Sequence, residues 1–245
     1  LSTQKYGGNT SCFEVISNSQ QIILDAGSGF KNVKFLKTRE TFLLLSHFHH
    51  DHIQGLPFNP QIFDPNNEII ISSDLYDIEL VKQTIQKYFS PPYFPIDIIS
   101  SLSNIKFLPF KTVQEKLKND IDLNSMLLKH PGGSIGYKLI DKNSSLVYLC
   151  DNEFEEDQRK KLSNFSKNAD LLVWDGMFTQ KELVDKKGWG HSSIEQAIDF
   201  NTLAKCKKIL ITHHAPSRSD KELDQIAKDL PDLFTIARDG LEMEV

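Results

Sequence analysis

The chain has 245 residues, 39% of them hydrophobic and 25% charged, with a formal net charge of −5. Such a composition is ordinary for a globular protein and excludes a disordered chain, and no apolar run approaches the roughly 18–20 residues that a membrane span requires. The acidic balance disfavours long nucleic acid, whose binders neutralise many phosphates with Lys and Arg, and leaves a small substrate as the expected partner.

Short apolar runs alternate with helical patterns along the chain. Strand candidates are Gln21 to Leu24, Phe42 to Leu45, Ile69 to Ile71, Ile105 to Leu108, Met126 to Leu128, Gly136 to Ile140, Leu146 to Leu149, Leu171 to Trp174, Ile209 to Thr212 and Leu233 to Ala237. Many are continuous rather than alternating, as strands covered on both faces are. One helical stripe runs from about Leu75 through Ile78, Val81 and Ile85 toward Phe89, and a second opens at Ser193 with Gln196 three residues on. A third follows Ser219, where Ser219 and Glu222 form a capping box and Leu223, Ile226, Ala227 and Leu230 repeat at helical spacing up to Pro231. With no repeat or linker, the pattern predicts a single α/β domain over residues 1–245. Ser90 to Pro95, with three prolines and two aromatics, reads as a stiff surface connection or an aromatic lid.

Cys12, Cys150 and Cys206 are odd in number, widely spaced and set in apolar patterns, so they read as buried free thiols. No secretory signal pattern is visible, and a cytoplasmic location is expected.

The histidines carry the chemistry. All eight fall at four places: His47, His49, His50 and His52; His130; His191; and His213 with His214. The first group lies in Ser46-His47-Phe48-His49-His50-Asp51-His52, directly after the run Phe42 to Leu45. His130, Asp151 and His213 likewise each follow a strand candidate, and strand ends of a layered α/β fold converge on one edge. Neutral imidazole and carboxylate are the ligands that zinc and similar divalent cations accept, so the pattern points to a metal site with room for two ions.

These residues resemble the metallo-β-lactamase superfamily. The likeness is carried by His47-Phe48-His49-His50-Asp51-His52, His130, Asp151 and His213 in the family's order. It extends to Tyr6 through Cys12, Leu24-Asp25-Ala26-Gly27, His52 through Pro57 and Gly190-His191-Ser192. The resemblance implies a four-layer αβ/βα sandwich with a dinuclear site. One ion would take His47, His49 and His130; the other would take Asp51, His52 and His213, with His213 favoured over His214; Asp151 would bridge them. Zinc is expected first, with manganese or iron as substitutes. Asp25 is expected to support a ligand histidine from behind. Cys150 adjoins Asp151 but is expected to point to the other side of the strand.

Five imidazoles and two carboxylates set about −2 against +4, and a bridging hydroxide leaves about +1, which suits an anionic phosphate. His191 narrows the expectation to the family's phosphodiesterase branch, in which Asp175 would orient His191 to stabilise the phosphorane oxygen or protonate the leaving alkoxide. The expected activity is metal-hydroxide attack on small phosphodiesters, cyclic nucleotides first. A carboxylic ester, lactone or thioester hydrolase is one alternative, and a metal-binding accessory protein of low turnover is another. Two departures stand out. An opening strand usual in the family is missing before Tyr6, so the chain is expected to be trimmed at its start, and nothing matches the long basic arm of ribonuclease Z. A homodimer is common among related enzymes, and the sequence leaves the oligomeric state open.

Overall fold

The computed structural model describes residues 3–245. Their packing divides into two compact units, Asn9–Asp120 on one side and the residues up to Gly8 with Ile121–Val245 on the other.

The Asn9–Asp120 unit is built on a five-stranded sheet of β1 (Phe13–Ile16), β2 (Gln20–Leu24), β3 (Glu40–Leu44), β4 (Ile69–Ser72) and β5 (Ile105–Phe107), in that spatial order. β1 pairs antiparallel with β2, and every later pairing is parallel. Ile22, Ile23 and Leu24 are fully buried, as are Phe42, Leu43 and Leu44, which explains why these strands read as unbroken apolar runs. β1 escaped notice in the sequence because it is an edge strand of four residues with alternate residues exposed.

The helix expected from about Leu75 begins at Ile78, where the Asp77 carboxylate accepts the Leu80 N–H at 3.0 Å, and it buries Val81 and Ile85. A helix at Phe110–Leu117 was not anticipated. In the proline-rich stretch Phe94 packs edge-on to Phe89 at 6.2 Å, and Tyr93 is exposed.

The second unit holds a six-stranded sheet of β6 (Asp122–Leu128), β7 (Ser134–Ile140), β8 (Ser145–Leu149), β9 (Leu171–Asp175), β10 (Lys208–Thr212) and β11 (Phe234–Ile236), again in spatial sequence. The first two pairings are antiparallel and the rest parallel. Its core joins Trp174 and Leu172 to Ala197 and Phe200 of the helix Ile194–Ala204 and to Leu223 of the helix Asp220–Asp229. Both helices carry the capping boxes read from the sequence, Ser193 with Gln196 and Ser219 with Glu222. Each cap stabilises its helix by about 1 kcal/mol.

Registers fix where the chemistry falls. Leu24 aligns with Leu44 and Leu44 with Ser72, so Asp25 and Ser46-His47 leave the first sheet along one edge. In the second, Leu149 aligns with Trp174, Thr212 with Asp175, and Leu128 with Ser134 at the start of β7. His130, Asp151, Asp175 and His213 therefore also leave along a single edge, the side on which α/β sheets place ligands.

Candidate metal centre

In the Asn9–Asp120 unit the histidine cluster is organised around Asp25, which is fully buried. Its Oδ1 accepts the Ser46 N–H at 2.7 Å, and its Oδ2 accepts the Ser46 hydroxyl at 2.8 Å and faces His52 Nδ1 at 2.8 Å. A carboxylate only accepts, so His52 carries its proton on Nδ1. The Ser46 hydroxyl gives its proton to Asp25 and thus receives that of His47 Nδ1, 3.0 Å away. One carboxylate fixes both rings in the same tautomer, with Nε2 the unprotonated nitrogen of each.

The turn that follows is tight. Ala26 N–H donates to His52 O at 2.7 Å and Gly55 N–H to Ala26 O at 2.8 Å. The ring of His47 lies 4.5 Å from that of His49 and 4.2 Å from that of His52. A short helix, His50–Ile53, carries Asp51 and His52, and Asp51 Oδ2 lies 3.5 Å from His52 Nε2. His50 faces outward, edge-on to Tyr88 at 4.8 Å.

The other unit gathers its residues around Asp151, which is buried. Asp151 Oδ2 lies 3.5 Å from His130 Nε2, and Oδ1 lies 3.2 Å from His213 Nε2. His130 Nδ1 donates to the Gly190 carbonyl at 2.8 Å, so this ring too offers Nε2. His214 turns away, its Nε2 donating to Ala237 O at 3.1 Å, and burial pushes its pKa below the usual value. The geometry thus puts His213, not His214, beside the carboxylate.

Two features differ from what the sequence suggested or go unannounced in it. Cys150 does not point away: its thiol donates to Asp151 Oδ1 at 3.1 Å. The alternation argument fails there because β8 ends at Leu149 and Asp151 has φ 55°. Asp25 and His213 share this left-handed conformation, with φ 63° and 57°. Such backbone costs on the order of 1–3 kcal/mol in a residue other than glycine and concentrates at functional positions. Ser46 and the Gly190 carbonyl, which set two of the tautomers, carried no signal beyond their place next to histidines.

His191 and Asp175 form a buried pair, Nδ1 to Oδ2 at 2.8 Å. Asp175 is itself held by the N–H groups of Asn152, at 3.2 Å on Oδ2, and Met177, at 3.1 Å on Oδ1. The His191 ring stacks on His213 with centroids 4.9 Å apart and stands edge-on to His130 at 5.2 Å.

The donor set fits divalent metal. In the Asn9–Asp120 unit His47 and His52 have Nδ1 tied to an acceptor, with Asp51 beside the His52 ring; in the other unit His130 is tied in the same way, with Asp151 beside its Nε2. Imidazole and carboxylate donors of this kind suit zinc, manganese or iron.

The model of the beta-lactamase superfamily domain matches residues 20–214. The chain belongs to the beta-lactamase superfamily. A ribonuclease Z of Clostridium perfringens is 24% identical over an alignment covering 88% of this chain and 83% of that protein. The metallo-beta-lactamase fold protein YhfI from Bacillus subtilis superposes with a TM-score of 0.71 at 22% identity, covering 97% of this chain and 94% of YhfI. The short form of human tRNase Z gives 0.67 at 16% identity, covering 95% and 91%. These structural likenesses bear on the fold, and the chain has the α/β fold of two mixed sheets with flanking helices expected of the superfamily. No described helix is long and apolar enough to cross a membrane.

Proposed function

We propose that the chain is a dinuclear metal-dependent phosphodiesterase acting on small phosphodiesters, cyclic nucleotides first, and that its two units work as one hydrolase domain. In this reading His47, His49 and His130 hold one ion, Asp51, His52 and His213 the other, and Asp151 is shared, with zinc as the first choice. Membership of the superfamily, the ribonuclease Z relatives and the Nε2-presenting imidazoles support it.

The observation that carries the phosphodiester assignment is the Asp175–His191 pair stacked on His213. When bound, the ions supply the positive charge that polarises a phosphoryl oxygen and acidifies water. The protein supplies the rest. Asp175 holds the His191 ring by Nδ1, and in its imidazolium form the Nε2 edge donates a proton to a departing alkoxide or a hydrogen bond to a phosphoryl oxygen. The Asn152 and Met177 amides keep the Asp175 carboxylate in place. Hydrolysis of a thioester has no need of such a group, because a thiolate departs with little assistance.

A second reading, a ribonuclease, is favoured by the name of the relatives and opposed by the net charge of −5. The test is a panel of cyclic nucleotides, bis(p-nitrophenyl) phosphate, a structured RNA, a lactone and a thioester, run on protein of measured metal content. Small phosphodiesters should be cleaved fastest; faster cleavage of the lactone or thioester would overturn the assignment, and preference for the RNA would replace the substrate class.

A further inference from the structure

The loop Gly188-Trp189-Gly190, which leads into His191, turns at an exposed position: Trp189 is 56% exposed, and both glycines have φ of 86°. Its inward amides converge on a single buried carboxylate. The Gly188 N–H lies 2.8 Å from Glu153 Oε1 and 2.9 Å from Oε2, and the Gly190 N–H lies 2.9 Å from Oε2. Glu153 is only 7% exposed, and its own N–H donates to the Lys129 carbonyl at 2.7 Å.

Gly190 joins this carboxylate to the site. Its N–H is bound by Glu153, and its C=O accepts His130 Nδ1 at 2.8 Å. No larger residue fits, since a Cβ on Gly190 would lie 2.3 Å from His130 Nδ1. The same segment reaches the His191 side as well: Ser192 Oγ donates to Asn152 O and accepts the Phe154 N–H.

A carboxylate that merely filled a turn would have no reason to grip the residue whose carbonyl sets a histidine's tautomer. We propose that Glu153 is a positioning residue that touches neither metal nor substrate. By fixing the Gly190 peptide, it holds His130 as an Nε2 donor and seats the start of the His191 segment. This rests on the reading of His130 as a metal ligand, but not on the substrate.

Two measurements on the 245-residue chain test it. In the unaltered protein, exchange of the Gly188 and Gly190 amides should be slowed at least about 100-fold relative to an unstructured peptide, despite the exposed Trp189 between them. Glu153→Gln keeps the side chain's size but puts an NH2 donor against a backbone N–H. It should weaken binding of one of two zinc equivalents by about 10- to 100-fold, the effect expected of an outer partner of a ligand. It should also lower kcat with KM within about twofold, in line with a loss that spares ground-state binding. Glu153→Asp should show a smaller loss of the same kind and serves if the Gln variant does not fold.

Unprotected amides would overturn the proposal, as would folded variants that bind both zinc equivalents as the unaltered protein does. Weakened zinc in a protein that prefers lactones would sink the phosphodiesterase reading and leave Glu153's role standing.

Discussion

The imidazole of His191 lies against that of His213 with an interplanar angle of 21°, while its Nδ1 is taken by Asp175. His191 is therefore fixed beside a proposed ligand and has its own second nitrogen to spare. His191→Ala should leave metal content unchanged and lower kcat on a cyclic nucleotide, whose leaving group is an alkoxide, by about 10²- to 10⁴-fold, the range of a lost general acid. Elemental analysis and steady-state kinetics on one preparation check this. Equal turnover by the variant would remove His191 from the chemistry.

Asp25 controls two rings at once, His52 directly and His47 through Ser46. Asp25→Asn puts an amide NH2 where an acceptor is needed, so metal affinity should drop by about 10- to 100-fold. Ser46→Ala should cost less, because it frees only His47. Competition with a chromophoric zinc chelator ranks the two, and a larger effect at Ser46 would contradict the relay.

Glu182 shows how the short helix Gln180–Leu183, which follows β9, is tied down. Arg218 donates to its two oxygens at 3.0 and 2.6 Å, and this bonding holds the carboxyl at about 2, below the usual 4.5. The folded pKa is depressed, so the unfolded chain binds more protons between these values. The pair's stabilisation is thus complete above about 4.5 and is lost as the pH falls toward 2. Glu182→Gln should be less stable at neutral pH and lose less on acidification. Because the Glu182 side chain is 42% exposed, solvent screening keeps the effect modest. Thermal melts from pH 7 to pH 3 give the slope, and parallel curves for both proteins would refute it.

Gly55 stands where the histidine turn folds back on β2, and a Cβ there would lie 1.9 Å from the Gly27 carbonyl oxygen. Gly55→Ala forces the backbone apart and should destabilise the protein by about 1–3 kcal/mol, measured by urea unfolding. An unchanged midpoint would show that the turn has slack.

Most of the architecture was legible because buried parallel strands leave apolar runs and capped helices leave their caps. Phe42 through Leu45 and Ser193 with Gln196 are such cases. β1 and the helix Phe110–Leu117 were not, since four half-exposed residues make too short a period and Pro109 supplies no side-chain cap. Within each unit, histidine spacing and strand ends disclosed residues that lie together, His47 with His49 and His52, and His130 and His213 with Asp151. What they could not disclose is how each ring is held: Ser46 and the Gly190 carbonyl act through geometry, and the left-handed turns at Asp25, Asp151 and His213 break the alternation by which side-chain direction is read. Cys150, turned toward Asp151, is the result.

The most direct measurement is a titration of chelator-stripped protein with zinc, following bound metal and turnover of bis(p-nitrophenyl) phosphate together. Activity should be absent without metal and reach its plateau at two equivalents per chain. Turnover that survives chelation, or a plateau reached with no bound metal, would contradict the proposed centre.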